Sequence, residues 1–246
     1  MGLIRTELMP DSSEVVPYDH AGIPLYIRAA HLASYYNMCA PCHWHDDIEW
    51  IYIITGKMRY YVNGKRLILN EGDSLMVNAR QMHYGYAFEQ QDCYFLCILF
   101  HPSLFGNNQI LQEKYFLPFF ENTSLEFHHF YSNDEAGVKV GRYLQEVLLL
   151  KEDSDSGYEL GVISCMLELW SFLIRTDLLS AAKNKSESEQ ELNIQKDMVS
   201  FIYQHYPEKI SLTDIAAAGH VGGVNAARYL NIICSSLLWI FSIPTD

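Results

Sequence analysis

Positive charge is what this chain has least of. Its 246 residues carry 17 Lys plus Arg against 30 Asp plus Glu, a formal net charge of −13. That balance excludes a chain that coats nucleic acid over its whole surface, but not a small DNA-reading module on an acidic body. Long apolar runs are missing too. No stretch of 18 apolar residues exists, so no helix spans a membrane. The N-terminus, MGLIRTELMPDSSEVV, lacks the apolar core of a secretory signal. Met1-Gly2 followed by Thr6 touches the myristoylation pattern, which a motif this short meets by chance. Without an export signal the chain is placed in the cytoplasm. Its six cysteines (39, 42, 93, 97, 165, 234) are then expected as reduced thiols. Cys39-x-x-Cys42 invites a zinc reading. Its partner at similar spacing, Cys93-x-x-x-Cys97, lies in the apolar run CYFLCILF, where cysteine reads as a small core hydrophobe.

What is present is globular composition, with 49% apolar and 19% charged residues, and length for one large domain or two small ones. Residues 1–130 read as β. Turn signals recur at Thr55-Gly56, Asn63-Gly64 and Glu71-Gly72-Asp73. Between them lie short runs rich in Tyr, Ile and Val: Ile48–Ile54, Lys57–Val62, Arg66–Leu69, Ser74–Val77 and Cys93–Phe100. Asn63-Gly64 is a hairpin signal, because both turn positions need positive φ. Many short strands so punctuated predict a sandwich or barrel.

Beyond Asp134 the period becomes helical. Val140, Leu144, Val147 and Lys151 share one stripe, and Leu160, Ile163, Leu167, Trp170 and Ile174 another, with Ser154–Gly157 as the turn between. These helices, within 131–182, have more apolar surface than one barrel needs. Either both cover the barrel or one face makes a dimer. The stretch 183–193 is polar and reads as a linker. In 194–246, Ile194, Met198, Phe201 and His205 lie on one helical face that ends at Pro207. Ser211 then caps a second helix start, with Asp214 three residues on, and Gly219 breaks it.

The most specific signal is His43-Trp44-His45-Asp46-Asp47-Ile48-Glu49, with His83 later. In extended chain His43, His45 and Glu49 share one face. Two imidazoles and a carboxylate, with His83 from another strand, suit a divalent transition metal. The competing and leading reading of the same residues is a pocket for a small polar ligand, with Tyr60, Tyr61, Tyr84 and Tyr86 nearby.

These residues resemble the cupin signature. Its first motif is matched by His43, His45, Glu49 and Gly56, except that Asn37 stands where the leading glycine falls. In the second motif Gly72 and His83 are in place, while Asn78, Arg80 and Ala87 replace Pro, Gly and Asn. The resemblance covers roughly residues 20–100 and implies a small β-barrel with its pocket at these ligands. Further along, Met198-Val-Ser-Phe-Ile-Tyr-Gln-His-Tyr206 and Ile210-Ser-Leu-Thr-Asp-Ile-Ala-Ala-Ala-Gly-His-Val221 resemble the first helices of the DNA-binding domain in the AraC/XylS family of transcriptional regulators. With the barrel the likeness covers about residues 20–221. It implies an α+β chain: a cupin-like barrel, two dimerisation helices, and a helix-turn-helix segment. It also implies an effector in the barrel at His43, His45, Glu49, Tyr60 and His83, a homodimer, and operator DNA contacted around Ser211, Thr213 and Arg228.

The family pattern breaks after about Val221. Where a basic recognition helix belongs, Arg228 is the one basic residue. From Leu192 onward three basic residues (Lys196, Lys209, Arg228) face four acidic ones (Asp197, Glu208, Asp214, Asp246). Phosphate neutralisation supplies most non-specific DNA affinity, so weak or absent DNA binding is expected. A truncated or frame-shifted DNA-binding domain is the expectation, with Leu230–Ile243 a bystander apolar tail. The alternative function is a metal-dependent cupin enzyme, a dioxygenase or isomerase, using His43, His45, Glu49 and His83. A bare dimerisation module that silences intact relatives is the third.

Overall fold

The computed structural model describes residues 3–106, 108–122, 124–153, 156–178, 189–205 and 210–237. Among the described residues eight strands form two antiparallel sheets. β1 (Leu25–His31), β2 (Ile48–Thr55), β5 (Ser74–Val77), β7 (Tyr94–Phe100) and β8 (Phe127–Phe130) make a five-stranded sheet in the order β1-β7-β2-β5-β8. β3 (Lys57–Val62), β4 (Lys65–Asn70) and β6 (His83–Ala87) make the other, in the order β4-β3-β6. Asn63 (φ 46°) and Gly64 (φ 77°) supply the two-residue turn that pairs Val62 with Lys65.

Strand alternation sorts the side chains into an interior and two outer layers. Ile51, Ile53, Met58, Tyr60, Leu75, Val77 and Phe95 fill the space between the sheets. Ile48, Trp50 and Tyr52, on the opposite face of β2, meet helices instead. This is why β2 reads as a continuous apolar run: it is covered on both sides. Short helices α1 (Gln109–Leu111) and α2 (Leu117–Phe120) precede β8. The cover on the five-stranded sheet is α3 (Glu135–Asp153) and α4 (Tyr158–Arg175).

In α3 the expected stripe is buried: Val140, Leu144 and Val147 lie against the sheet. In α4 the phase differs from expectation. Val162, Cys165, Met166, Leu169, Trp170, Phe172 and Leu173 face the core, whereas Leu160 and Leu167 are 73% and 41% exposed. α4 is apolar nearly all round, so periodicity alone could not choose its buried side. Of the stripe read from sequence, Trp170 alone is fully buried.

The C-terminal helices α5 (Glu189–His205), α6 (Leu212–Ala218) and α7 (Gly223–Leu237) dock on the three-stranded sheet. α5 starts inside the stretch read as a linker, whose residues 183–188 lie outside the described part. α6 carries the expected capping box, with Ser211 N–H donating to the Asp214 carboxylate at 2.8 Å and Asp214 N–H to Ser211 Oγ at 3.3 Å. The chain after Val221 forms a helix to Leu237, and residues 238–246 of the expected tail lie outside the described part. Among the described residues no helix is long and apolar enough to cross a membrane.

Candidate functional site

His43, His45, Glu49 and His83 converge. One ligand atom from each lies within 4.8 Å of the others, and all four residues are buried. Glu49 is the second residue of β2 and His83 opens β6, while His43 and His45 come from the segment before β2. A backbone bridge between His43 and His83 joins the two sides, with N–H to carbonyl distances of 3.1 and 2.9 Å.

The imidazoles are fixed by the backbone. His43 Nδ1 lies 2.7 Å from the Pro41 carbonyl oxygen, His45 Nδ1 3.0 Å from that of Asp47, and His83 Nδ1 2.8 Å from that of Gln81. A carbonyl oxygen only accepts, so each Nδ1 carries a hydrogen. In the neutral ring Nε2 is then a bare lone pair aimed at the centre, the arrangement that orients metal-binding histidines. Glu49 Oε2 sits 3.2 Å from His45 Nε2 and 2.7 Å from His83 Nε2. His83 Nε2 nevertheless has no hydrogen-bond partner, because its close approach to Glu49 is misaligned for one. Lone pairs crowded on a buried carboxylate require a cation among them, either a proton or a metal. Ligands about 2.1 Å from one ion stand about 3.0–3.4 Å apart in octahedral or tetrahedral geometry, near the 2.7 and 3.2 Å from Glu49 to His83 and His45, with the whole group within 4.8 Å. The four residues therefore fit a divalent transition metal.

Tyr60 completes the inner wall, its hydroxyl donating to Glu49 Oε1 at 2.8 Å. Gly85, opposite Tyr60 in the register, leaves room for that ring: a Cβ there would stand 3.1 Å from Tyr60 Cδ2 and 2.6 Å from Met58 Sδ. Electrostatics follow from burial. Desolvation pushes Glu49 up, but His83 and His45 outweigh it and hold the carboxyl well below the usual range. Desolvation pushes His43 down, but Glu14 and Glu49 raise it to about 9. Burial lowers His83, with Glu49 opposing. Burial and then Glu49 raise the Tyr60 phenol and the Cys97 thiol well above their ordinary values.

Beside this centre lies a cavity of about 160 Å³ lined in part by Glu14, Tyr26, Arg28, Tyr35, His43, Glu49 and Cys97. Sequence reasoning missed Glu14, Tyr26, Arg28 and Tyr35. Tyr26 and Arg28 alternate on β1, a strand signal the sequence does carry, whereas nothing in the run around Glu14 marks it. Three of the four tyrosines expected near the pocket are elsewhere. Tyr61, Tyr84 and Tyr86 point outward by strand alternation and stack together, Tyr61 and Tyr84 at 4.6 Å, under the C-terminal helices. Trp44 also faces those helices rather than the layer of Ile48 and Trp50, with Lys196 Nζ 3.8 Å from its ring centre. Cys39 and Cys42 are free thiols in the same layer and join no metal-binding group among the described residues. Burial pushes Cys39 up to about 12.

Of the residues expected to meet DNA, Ser211 is engaged in its helix cap and Thr213 is exposed on α6. Arg228 on α7 pairs with Glu191 at 3.2 Å.

The chain is similar to known proteins. The sequence profile of the AraC-like ligand binding domain matches residues 27–169. The uncharacterized HTH-type transcriptional regulator YdeC of Bacillus subtilis (strain 168) is 28% identical over 193 residues, covering 78% of this chain and 65% of its own length. The chain thus spans just under two thirds of that relative. Among solved structures, the AraC-like transcriptional activator CuxR aligns over 89% of this chain and 74% of its own, at 9% identity and a TM-score of 0.42. ToxT from Vibrio cholerae O395 aligns over 89% and 78%, at 10% identity and a TM-score of 0.39. Matched over more than half of its length, the chain belongs to the AraC family through its ligand-binding domain.

Proposed function

We propose that this chain senses a small polar effector, of the sugar-like polyol class, at a divalent metal held by His43, His45, Glu49 and His83, and so controls a transcriptional regulator of the AraC type in the cytoplasm. One observation supports this reading: three imidazoles donate Nδ1–H to backbone carbonyls and gather with the buried Glu49, one ligand atom of each within 4.8 Å of the others, His45 and His83 Nε2 directly against its carboxylate. A bound metal would supply a Lewis acid and a positive charge able to hold neighbouring hydroxyls. Tyr60 orients Glu49, and Arg28, Tyr26 and Tyr35 border the cavity with polar groups for the effector.

The rest of the chain fits a regulator. Residues 1–130 form the sensor and 131–182 the dimerisation helices. The connection ends where α5 begins at Glu189, and α5, α6 and α7 make a partial helix-turn-helix domain. The exposed stripe of α4 pairs two copies, since Leu160 and Leu167 otherwise stand in water. Arg228, neutralised by Glu191, leaves α7 little positive charge, so specific operator binding is weak or absent in this chain. The tripeptide His43-Trp44-His45 joins sensor and helices. Its histidines face the centre while its tryptophan lies under Lys196 of α5.

The test is metal content and thermal stability. Purified protein should hold one equivalent of a divalent transition metal, and paired His45→Ala and Glu49→Ala substitutions should remove it. A ligand at about 100 times its Kd adds about 2.7 kcal/mol of stability, so an effector hit in a polyol screen should be obvious. Absence of metal binding under all divalent ions tried would refute the reading. A metal-dependent cupin dioxygenase or isomerase shares the ligand set. The helices docked over Tyr61, Tyr84 and Trp44 favour the regulator.

A further inference from the structure

The metal centre has a neighbour outside the barrel strands. Residues 8–14 run alongside the ligand segment, pinned to it by three hydrogen bonds and closed on themselves by a fourth. Glu14 N–H donates to the Trp44 carbonyl at 2.8 Å, and Trp44 N–H to the Ser12 carbonyl at 3.3 Å. Trp44 Nε1 donates to the Asp11 carbonyl at 3.0 Å, and Met9 N–H to Ser13 closes the turn at 2.8 Å. This lays Glu14 beside His43, with Glu14 Oε2 3.3 Å from His43 Nε2 and the Glu14 side chain only 13% exposed.

Resting on the metal reading above, we propose that Glu14 is a fifth protein ligand, supplied by the N-terminal strap. The argument is geometric first. His43 Nδ1 spends its hydrogen on Pro41, so the Nε2 lone pair and the Glu14 oxygen face the same space. Their 3.3 Å separation matches the edge between two ligands about 2.1 Å from one ion, and Glu14, which stands outside the group of four, reaches that ion by swinging inward beside His43. Charge points the same way. Glu49 alone leaves a divalent ion with an uncompensated positive charge in a buried cavity, whereas Glu14 and Glu49 together neutralise it. Glu7, also on the cavity rim, is exposed and makes no ion pair with the four ligands, so it is not an equivalent donor. Three imidazoles and two carboxylates leave an octahedral ion one open position, where a small molecule in the cavity can bind.

Cobalt(II) titration of full-length protein tests this, with Glu14→Gln compared against wild type. Affinity comes from calorimetry and coordination from visible absorption, whose intensity rises as coordination number falls. Glu14→Gln should weaken cobalt binding about tenfold or more and change the visible spectrum. Cobalt should also protect the strap of wild type, but not of the variant, from limited proteolysis. Unchanged affinity and spectrum in Glu14→Gln would overturn the fifth ligand while leaving the four-ligand centre. Weaker affinity with an unchanged spectrum would overturn it too, because a lost charge acts at a distance without altering coordination. A wild type that takes up no cobalt would overturn both this inference and the metal reading beneath it.

Discussion

Removing one oxygen atom probes the centre cleanly. In metal-free protein Tyr60→Phe deletes the hydroxyl that donates to Glu49 Oε1 at 2.8 Å and leaves the ring in place. Both residues are buried, at 3% and 4% exposure. Glu49 Oε2 keeps His45 and His83, but Oε1 retains only the weak Cys97 thiol, 3.9 Å away. A hydrogen bond to a charged group contributes about 1.5–3 kcal/mol, and no cavity forms to add to it. For a chain this size that lowers Tm by about 3–12 °C. Urea denaturation followed by circular dichroism should show a lower midpoint with an unchanged slope. A double-mutant cycle sharpens the test. Glu49→Ala removes the acceptor, so combining it with Tyr60→Phe should cost less than the two single losses added. Additivity within about 0.5 kcal/mol would refute a direct bond between them.

Two further outcomes follow from the same geometry. The first concerns alkaline pH. In metal-free protein the His43 pKa stands at about 9, above its ordinary 6.5. Its pairing with Glu14 therefore stabilises the fold fully below pH 6.5 and is lost as pH rises through about 9. Glu14 and Glu49, held low, contribute above about pH 4.5, and His83, also held low, loses stability for the fold below about pH 6.5. The denaturation midpoint should thus peak near neutrality and fall toward pH 9.5, and Glu14→Gln should flatten the alkaline limb. A midpoint that rises with alkali would contradict the His43–Glu14 pair. The second concerns assembly: Leu160→Glu with Leu167→Glu should turn dimers into monomers in sedimentation while the monomer stays folded, since both side chains are exposed in the single chain. Dimers that persist would place the contact elsewhere.

Strand identity was legible wherever alternation and turn chemistry agreed. Lys57–Val62 and Ser74–Val77 have the bounds read from sequence, and Asn63-Gly64 turns where its backbone demands. β1, β6 and β8 were not read, for three physical reasons. β1 lacks a turn signal at its end, β6 contains Gly85, and β8 is only four residues of Phe and His. His43, His45 and Glu49 were legible because their spacing survives in any extended chain, and His83 because it falls in the second motif. What spacing could not show was their protonation. That depends on three backbone carbonyls, those of Pro41, Asp47 and Gln81, which become acceptors only once loops fold around the rings.

The centre's outer half was beyond reach of any local pattern. Glu14 precedes His43 by 29 residues, in a segment with neither helical nor strand period, and meets it only because the strap pairs with Trp44. The same strap touches α5: the Pro10 carbonyl accepts from Ser200 Oγ and, at 2.6 Å, from Gln204 Nε2. Only three residues therefore separate a carboxylate at the centre from an acceptor bound by the C-terminal helix. An ion that draws Glu14 inward moves backbone that α5 also holds. Binding at the centre can change the docking of α5 only by the difference in affinity between the two strap positions. Wild-type and Ser200→Ala, Gln204→Ala proteins should then differ in cobalt affinity if that difference exists, and titrate identically if strap and helix are independent.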